Sequence, residues 1–240
     1  MFRIEEKFVG NFDLSDPEID FYLRIRSLLN EDSKVLDLGA GRASWFENDY
    51  SKTKKFVRYL KPVVSEIIGA DLDPIVLENR STTSNVTLAK NELPFKNETF
   101  DVIIADYVFE HFSDPERFAF ELNRVLKKGG WICARTPHKF HYVAFCAKLI
   151  PEYLHTKVLK IVKPDRLEQD SFSTYYKLND LKTINTYFAS YNNRSLVMRL
   201  RPFYYFNSKI GYVCFSLLHK ILPKSLVGNI FFFLQKNRII

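Results

Sequence analysis

Short apolar runs punctuate this chain at wide intervals: Val35 to Leu38, Ile67 to Ala70, Asn85 to Ala89, Asp101 to Ala105 and Trp131 to Ala134. Each is bounded by turn residues and most are apolar on successive positions, the pattern of strands buried on both faces. Helical signals separate them. Asp16-Pro17-Glu18 supplies a cap, a first-turn proline and a dipole-matched acid, and predicts a helix running toward Leu29. Trp45 to Leu60 reads as helix with a basic patch, and Asp73-Pro74 as another helix start. Ser113-Asp-Pro-Glu116 repeats the capping device, with the stop placed at Gly129-Gly130. The alternation predicts a doubly wound α/β sheet.

Beyond Pro137 the pattern loosens into aromatic and basic residues. Asp180 to Phe188 reads as helix and Ser195 to Leu200 as strand, while Ile230 to Leu234 is a wholly apolar run too short to span a membrane. Between those last two, Ile210, Val213, Cys214, Leu217, Leu218, Ile221 and Leu222 recur at helical spacing, opposite Lys209, Tyr212, Ser216, His219 and Lys220. Such an amphipathic helix over 208–222 ordinarily packs on its domain; the sharper alternative is a helix lying on a membrane or over a lipid-linked substrate.

The candidate chemistry sits where strands end. Gly39 and Gly41, after the first strand, let backbone turn tightly and approach a ligand, and Asp71 closes the second strand where a carboxylate can accept both hydroxyls of a ribose. Ala43 and Ser44 follow, so the third glycine of the dinucleotide fingerprint is missing. Asp37 inside the first strand would repel a pyrophosphate and attract an ammonium or sulfonium. These features favour S-adenosylmethionine over a nicotinamide cofactor.

Asp37-Leu-Gly-Ala-Gly41, Gly69-Ala-Asp-Leu-Asp-Pro74, Leu93-Pro-Phe95 leading to Phe100-Asp-Val-Ile-Ile104, Phe109-Glu-His111 and Arg124-Val-Leu-Lys-Lys-Gly-Gly130 follow in the order of one family. The chain thus resembles class I S-adenosylmethionine-dependent methyltransferases of the type 11-like group. Arg135-Thr-Pro137, Phe172-Ser-Thr-Tyr-Tyr-Lys177 and the basic carboxyl end are similar to a bacterial subgroup often associated with surface-polysaccharide loci. The resemblance implies a Rossmann-like, doubly wound seven-stranded sheet whose last strand is antiparallel and buried, with aromatic and basic carboxyl-terminal additions. It implies one domain over 1–240: a helical cap at 1–32, a cofactor-binding core at 33–136, and substrate-side additions at 137–240.

It also assigns roles. Asp37, Gly39 and Gly41 would hold the methionine part, Asp71 and Leu72 the ribose and one adenine face, with Asp106 at the same strand ends. The family commonly has an acid just upstream of Leu-Pro-Phe to bind the adenine amino group; Ala89 or Lys90 stands there, leaving Asn91 or a backbone carbonyl as substitute. Related quinone-pathway enzymes bind metal through an acid three residues before the equivalent of Glu110, but Tyr107 occupies that position, so no metal is expected. Glu110-His111 would order the loop and helix start. For a hydroxyl acceptor a base helps remove the proton. His138 and His141, directly after the fifth strand, are the first candidates, with His111 and Asp106 behind them.

Composition narrows this further. With 240 residues and 46% hydrophobic content the chain can bury one full-sized core. Cys133, Cys146 and Cys214 have no paired spacing, and no leading signal peptide is visible, which predicts a reducing cytoplasm, with contact at the inner membrane face as a further option. A net charge of +7, concentrated in the carboxyl half, suits a solvated basic surface or an anionic partner. The expected acceptor is a hydroxyl of a sugar or lipid-linked glycan intermediate. The alternatives are a small phenolic or quinone-like acceptor and a non-catalytic S-adenosylmethionine-binding protein. Nucleic acid is disfavoured, because the Asn/Asp-Pro-Pro-Tyr/Phe signature of base methylation is absent and the cations form no compact stripe.

Overall fold

The computed structural model describes residues 4–13, 16–48, 51–89, 92–142, 174–202, 205–206 and 208–237. Helix α1 (Pro17–Arg26) opens where predicted, with the Asp16 carboxylate accepting the Glu18 and Ile19 N–H groups at 3.0 and 3.3 Å. Strand β1 (Lys34–Leu38) follows, then α2 (Ser44–Asn48), α3 (Lys52–Arg58), β2 (Glu66–Asp71), β3 (Ser84–Thr87) and β4 (Phe100–Asp106). Next come α4 (Pro115–Val125), β5 (Leu126–Pro137), α5 (Leu181–Tyr187), β6 (Tyr191–Asn193) and β7 (Leu196–Arg199). Helices α6 (Lys209–Ile221) and α7 (Lys224–Val227) lead into β8 (Gly228–Lys236).

The sheet runs β3-β2-β1-β4-β5-β8-β6, with β7 also on β8. All neighbours from β3 to β5 are parallel, and β8 is antiparallel to β5. Strands β6 and β7 pair with successive stretches of β8, Tyr191 to Asn193 against Lys236 to Leu234 and Leu196 to Arg199 against Phe231 to Gly228. They are two halves of one edge position. The break falls at Ser195, whose hydroxyl accepts the Phe233 N–H at 3.3 Å in place of a ladder bond. Eight strands therefore fill the seven positions expected.

Alternation along the strands makes two cores. Leu36, Leu38, Ile103, Ala105, Ile132, Ala134 and Phe232 pack with α4 and α5 on one face. Val35, Val102, Ile104, Cys133, Phe231 and Phe233 pack with Phe21 and Ile25 of α1 and Val57 of α3 on the other. The run Ile230–Leu234, all 5% exposed or less, is core strand rather than anchor. Among the described residues no helix is long and apolar enough to cross a membrane.

Three sequence expectations need correction. The helix expected over Trp45 to Leu60 is two short helices, the second started by the Ser51 hydroxyl as cap. Asp73-Pro74 opens only a 3-10 turn over Pro74–Glu78. Helix α4 ends at Val125, four residues before the glycine at φ +80°, because Leu126 already pairs with Phe100 and a bulge carries the chain to Trp131 against Val102. Gly129 and Gly130 serve that bulge: a Cβ at Gly130 would sit 2.8 Å from the Asp101 carbonyl oxygen.

Candidate active site

Strand order reverses between β1 and β4, and in open α/β sheets the crevice beyond the strand carboxyl ends at that point receives ligands. Gly39 and Gly41 there adopt φ of +69° and +50°. A Cβ on Gly39 would lie 2.4 Å from Val108 Cγ2 in the loop after β4, so this glycine permits two adjacent loops to close on each other. A Cβ on Gly41 would meet nothing within 4 Å; its backbone borders open space. The Gly39 N–H bonds the Ala70 carbonyl at 2.7 Å, tying the turn to β2. Asp71 completes the frame, its Oδ2 accepting the Gly41 N–H at 2.9 Å and its Oδ1 the Asp73 N–H at 3.0 Å. The buried Asn79 amide donates to the Ala40 and Gly41 carbonyls at 3.3 and 3.1 Å. Leu72, 53% exposed, follows the acid. An open depression of about 660 Å³ lined by Arg42, Glu47, Leu77 and Arg80 lies on the flank of this turn, with no residue of β1 or β4 in its wall.

Below the turn, Asp37, Asp106 and Arg135 share the sheet face covered by α1 and α3, as period-two alternation along neighbouring strands requires. Asp106 and Arg135 are register partners joined by two bonds of 2.7 Å, and the Tyr22 hydroxyl donates to Asp106 at 3.1 Å. Arg58 of α3 reaches Glu18 at 2.7 Å and Asp106 at 3.9 Å, with its guanidinium over the Trp45 ring. Burial alone would raise the Asp106 carboxyl, but Arg135 and Arg58 outweigh it and hold it below the ordinary carboxylate range. Burial pushes Asp37 up to about 7, against the pull of Arg58 and with the repulsion of Asp106 and Asp71.

On the opposite face Glu110, 5% exposed, accepts the Thr136 hydroxyl at 2.5 Å. Asn179 donates to Thr136 Oγ1 at 2.7 Å and to the Pro137 carbonyl at 2.8 Å. The Glu110 carbonyl accepts the N–H groups of Tyr175 and Tyr176 at 2.7 and 3.2 Å, so this residue pins the chain entering α5 to the loop after β4. Burial pushes its carboxyl from 4.5 up to about 7, opposed by the Thr136 bond. The folded protein therefore binds more protons than the unfolded chain between those values. Stability from this group is full below about pH 4.5 and is lost as pH rises through 7, by on the order of 3 kcal/mol. Glu110→Gln should remove that fall, leaving the fall from Asp37 and the opposing rise from His141, whose lowered value adds stability as pH climbs from about 4 to 6.5. Urea denaturation from pH 5 to 8 reads it, and an unchanged slope would contradict the assignment.

The four candidate bases do not stand alike. Asp106 has both oxygens bonded, to Arg135 and Tyr22, and a carboxylate held below its ordinary range accepts a proton less readily than a free one. It anchors the floor of the site. His141 is 7% exposed, stacked on Tyr142, and pushed down to about 4 by burial and by His219 and His138. His138 is half-buried, its Nδ1 accepting the Phe140 N–H at 3.2 Å, which leaves Nε2 as the protonated nitrogen of the neutral ring. His111 is half-buried in the short 3-10 turn Phe109–His111. Asn91 lies outside the described residues, as do 172 and 173 of the aromatic stretch. Among the described residues no group of three or more His, Cys, Asp or Glu side chains could hold a metal.

Residues 51–134 match a family described as methyltransferase domain. The demethylmenaquinone methyltransferase of Tropheryma whipplei is 26% identical over 159 residues, 62% of each protein, so the match spans about three fifths of that curated relative. The YcgJ protein of Bacillus subtilis superposes with a TM-score of 0.56 at 16% identity, over 92% of this chain and 99% of that one. The geranyl diphosphate C-methyltransferase of Streptomyces coelicolor, solved with Mg2+, geranyl-S-thiolodiphosphate and S-adenosyl-L-homocysteine, gives 0.57 at 11% identity, over 91% and 75%.

Proposed function

We propose that this chain, a class I S-adenosylmethionine-dependent methyltransferase by its matched domain and its fold, methylates a hydroxyl of a sugar or lipid-linked glycan intermediate. The observation that supports the cofactor in this reading is the frame of Gly41, Asp71 and Leu72: a glycine backbone bordering open space, a carboxylate with spare lone pairs, and an exposed aliphatic side chain beside it. Those groups suit a nucleoside. Asp71 would accept from the ribose hydroxyls, Leu72 would cover one face of the adenine, and Asp37 would favour the positive charge of the methionine part. The cofactor supplies a methyl group activated by the sulfonium.

What the chain itself must do is align an acceptor oxygen with that methyl and exclude water, because an in-line displacement gains most from orientation. Of the histidines after β5, His138 is the more exposed, and the Phe140 N–H occupies its Nδ1 rather than its Nε2. Its Nε2–H can hold the acceptor oxygen in place. To serve as base, the ring would have to release the Phe140 N–H and take the proton on Nδ1. Phe140 and Tyr175, 57% and 50% exposed, offer flat apolar surface beside polar groups, which suits a sugar ring.

The name of the Tropheryma whipplei relative favours a second reading, a quinone-like acceptor. Both are tested by incubating the protein with methyl-labelled S-adenosylmethionine and an extract of its own cells. Label in the lipid-linked glycan fraction supports the first, label in the quinone fraction the second, and no transfer to any fraction would leave only cofactor binding. His138→Ala should lower turnover about 10- to 100-fold, the worth of one hydrogen bond to an oxygen that gains charge, with cofactor affinity unchanged. Full turnover in that variant would remove the residue from the site.

A further inference from the structure

Helix α6 carries its amphipathic pattern inside out. A helix that merely covers a domain turns its apolar stripe to the core and its polar side chains to water. Here Ile210, Val213, Leu217 and Ile221, at successive helical turns, are 77%, 56%, 55% and 82% exposed, with Leu218 exposed beside them. His219 on the other side is 3% exposed, and the Ser216 Oγ is buried.

That orientation is held by polar contacts. His219 Nδ1 lies 2.8 Å from the Leu200 carbonyl oxygen and its Nε2 3.4 Å from the Tyr142 hydroxyl. Arg199 donates to the Leu222 carbonyl at 2.7 Å at the helix end. Near the start, a Cβ on Gly211 would sit 2.6 Å from the Tyr205 carbonyl oxygen, so the helix backbone rests directly on the chain before it. Rolling the apolar stripe inward would break these bonds and bury the charged flanks.

The surrounding charge says what covers the stripe. Residues 181–240 contain nine lysines and arginines and no aspartate or glutamate. Lys209, Lys220 and Lys224, all exposed, border the stripe. A second copy seated through the same helix would set Lys220 and Lys224 against their own counterparts, and α6 itself carries no acid to offset them. A lipid surface with anionic headgroups offers hydrocarbon to the aliphatic side chains and phosphate to the lysines in one plane. Thirteen residues make a helix about 20 Å long, too short to span a bilayer but suited to lying in its interface.

We infer that α6 is a docking face for an anionic membrane surface, with Ile210, Val213, Leu217 and Ile221 seated at the headgroup boundary and Lys220 and Lys224 on lipid phosphates. The full chain should float with vesicles of equimolar phosphatidylglycerol and phosphatidylcholine, not with phosphatidylcholine alone, and high salt should weaken the association. Ile210→Ser/Leu217→Ser/Ile221→Ser should lower the bound fraction by about tenfold or more. Because these side chains already face solvent, its melting temperature and its affinity for S-adenosylhomocysteine should stay at the parent values. Lys220→Gln/Lys224→Gln should lower binding to the anionic vesicles as well. Failure of the parent to float, flotation unchanged by the triple substitution, or a parent dimer that the triple substitution turns into a monomer would each overturn the inference. Vesicle binding is measured without cofactor, so a failure to bind S-adenosylhomocysteine would strike the methyl-transfer reading and leave this one standing.

Discussion

Arg135→Ala is expected to lower the unfolding free energy by about 3–5 kcal/mol, the largest stability effect of any single substitution near the site. The guanidinium forms two 2.7 Å bonds with Asp106, and its side chain is 6% exposed against 9% for the carboxylate. It also lies over the rings of Phe21 and Tyr107 at 5.4 and 4.9 Å. Removing it would leave Asp106 buried with only Tyr22 and the more distant Arg58, so most of the cost is an uncompensated charge rather than the worth of the pair. At roughly 2–4 °C per kcal/mol for a domain of this size, the melting temperature should fall by about 10 °C. Arg135→Lys should recover part of the charge but not the forked geometry or the ring contacts. Asp106→Leu combined with Arg135→Met should lose less than Arg135→Ala alone, since no charge is then left unpaired. Thermal unfolding followed by circular dichroism measures all three. A change of under 2 °C in Arg135→Ala would mean that water reaches the pair and that the floor of the site is not dry.

This network shows where the sequence could be read and where it could not. Strands β1, β2, β4 and β8 are legible because burial on both faces demands near-continuous apolar runs. The caps at Asp16 and Asp114 are legible because the missing helical donors at an N-terminus select such residues. Asp37, Asp106 and Arg135 each interrupt an apolar run near a strand's carboxyl end, and that interruption was the available signal for a buried ionic floor. Their pairing depends on the β4–β5 register, which the bulge between Leu126 and Trp131 shifts, and on Arg58 arriving from a helix whose direction the sequence does not give. The same limit applies at α6. Periodicity identifies its apolar stripe over Lys209–Ile221, but which side faces inward follows from His219 meeting Leu200 and Tyr142, contacts between parts of the chain far apart in sequence. At the rim, the position of His138 after β5 was legible, whereas the Phe140 N–H that occupies its Nδ1 was not.

Asp71→Ala should weaken S-adenosylhomocysteine binding by about 10- to 100-fold, the largest expected loss of affinity from a single side chain. A carboxylate accepting from two ribose hydroxyls makes charge-assisted bonds worth about 1.5–3 kcal/mol when removed, and 1.4 kcal/mol is one factor of ten. The structure adds a second route to the same loss. The same carboxylate holds the Gly41 N–H at 2.9 Å and the Asp73 N–H at 3.0 Å, so the alanine variant also frees the two loops that frame the opening. Asp71→Asn separates the two contributions: its amide oxygen can keep one backbone N–H, while its NH2 group cannot accept from either a hydroxyl or the other N–H. If ribose recognition dominates, the asparagine variant should bind nearly as weakly as alanine; if loop order dominates, it should recover about half of the lost free energy. The apo protein should melt within about 2 °C of the parent in both, because Asp71 is only half-buried and ties loops rather than core. Titration calorimetry with S-adenosylhomocysteine, with NADH as the competing ligand class, decides the matter. Parent-like affinity in the alanine variant would move the ribose elsewhere, and tight NADH binding by the parent would overturn the cofactor itself.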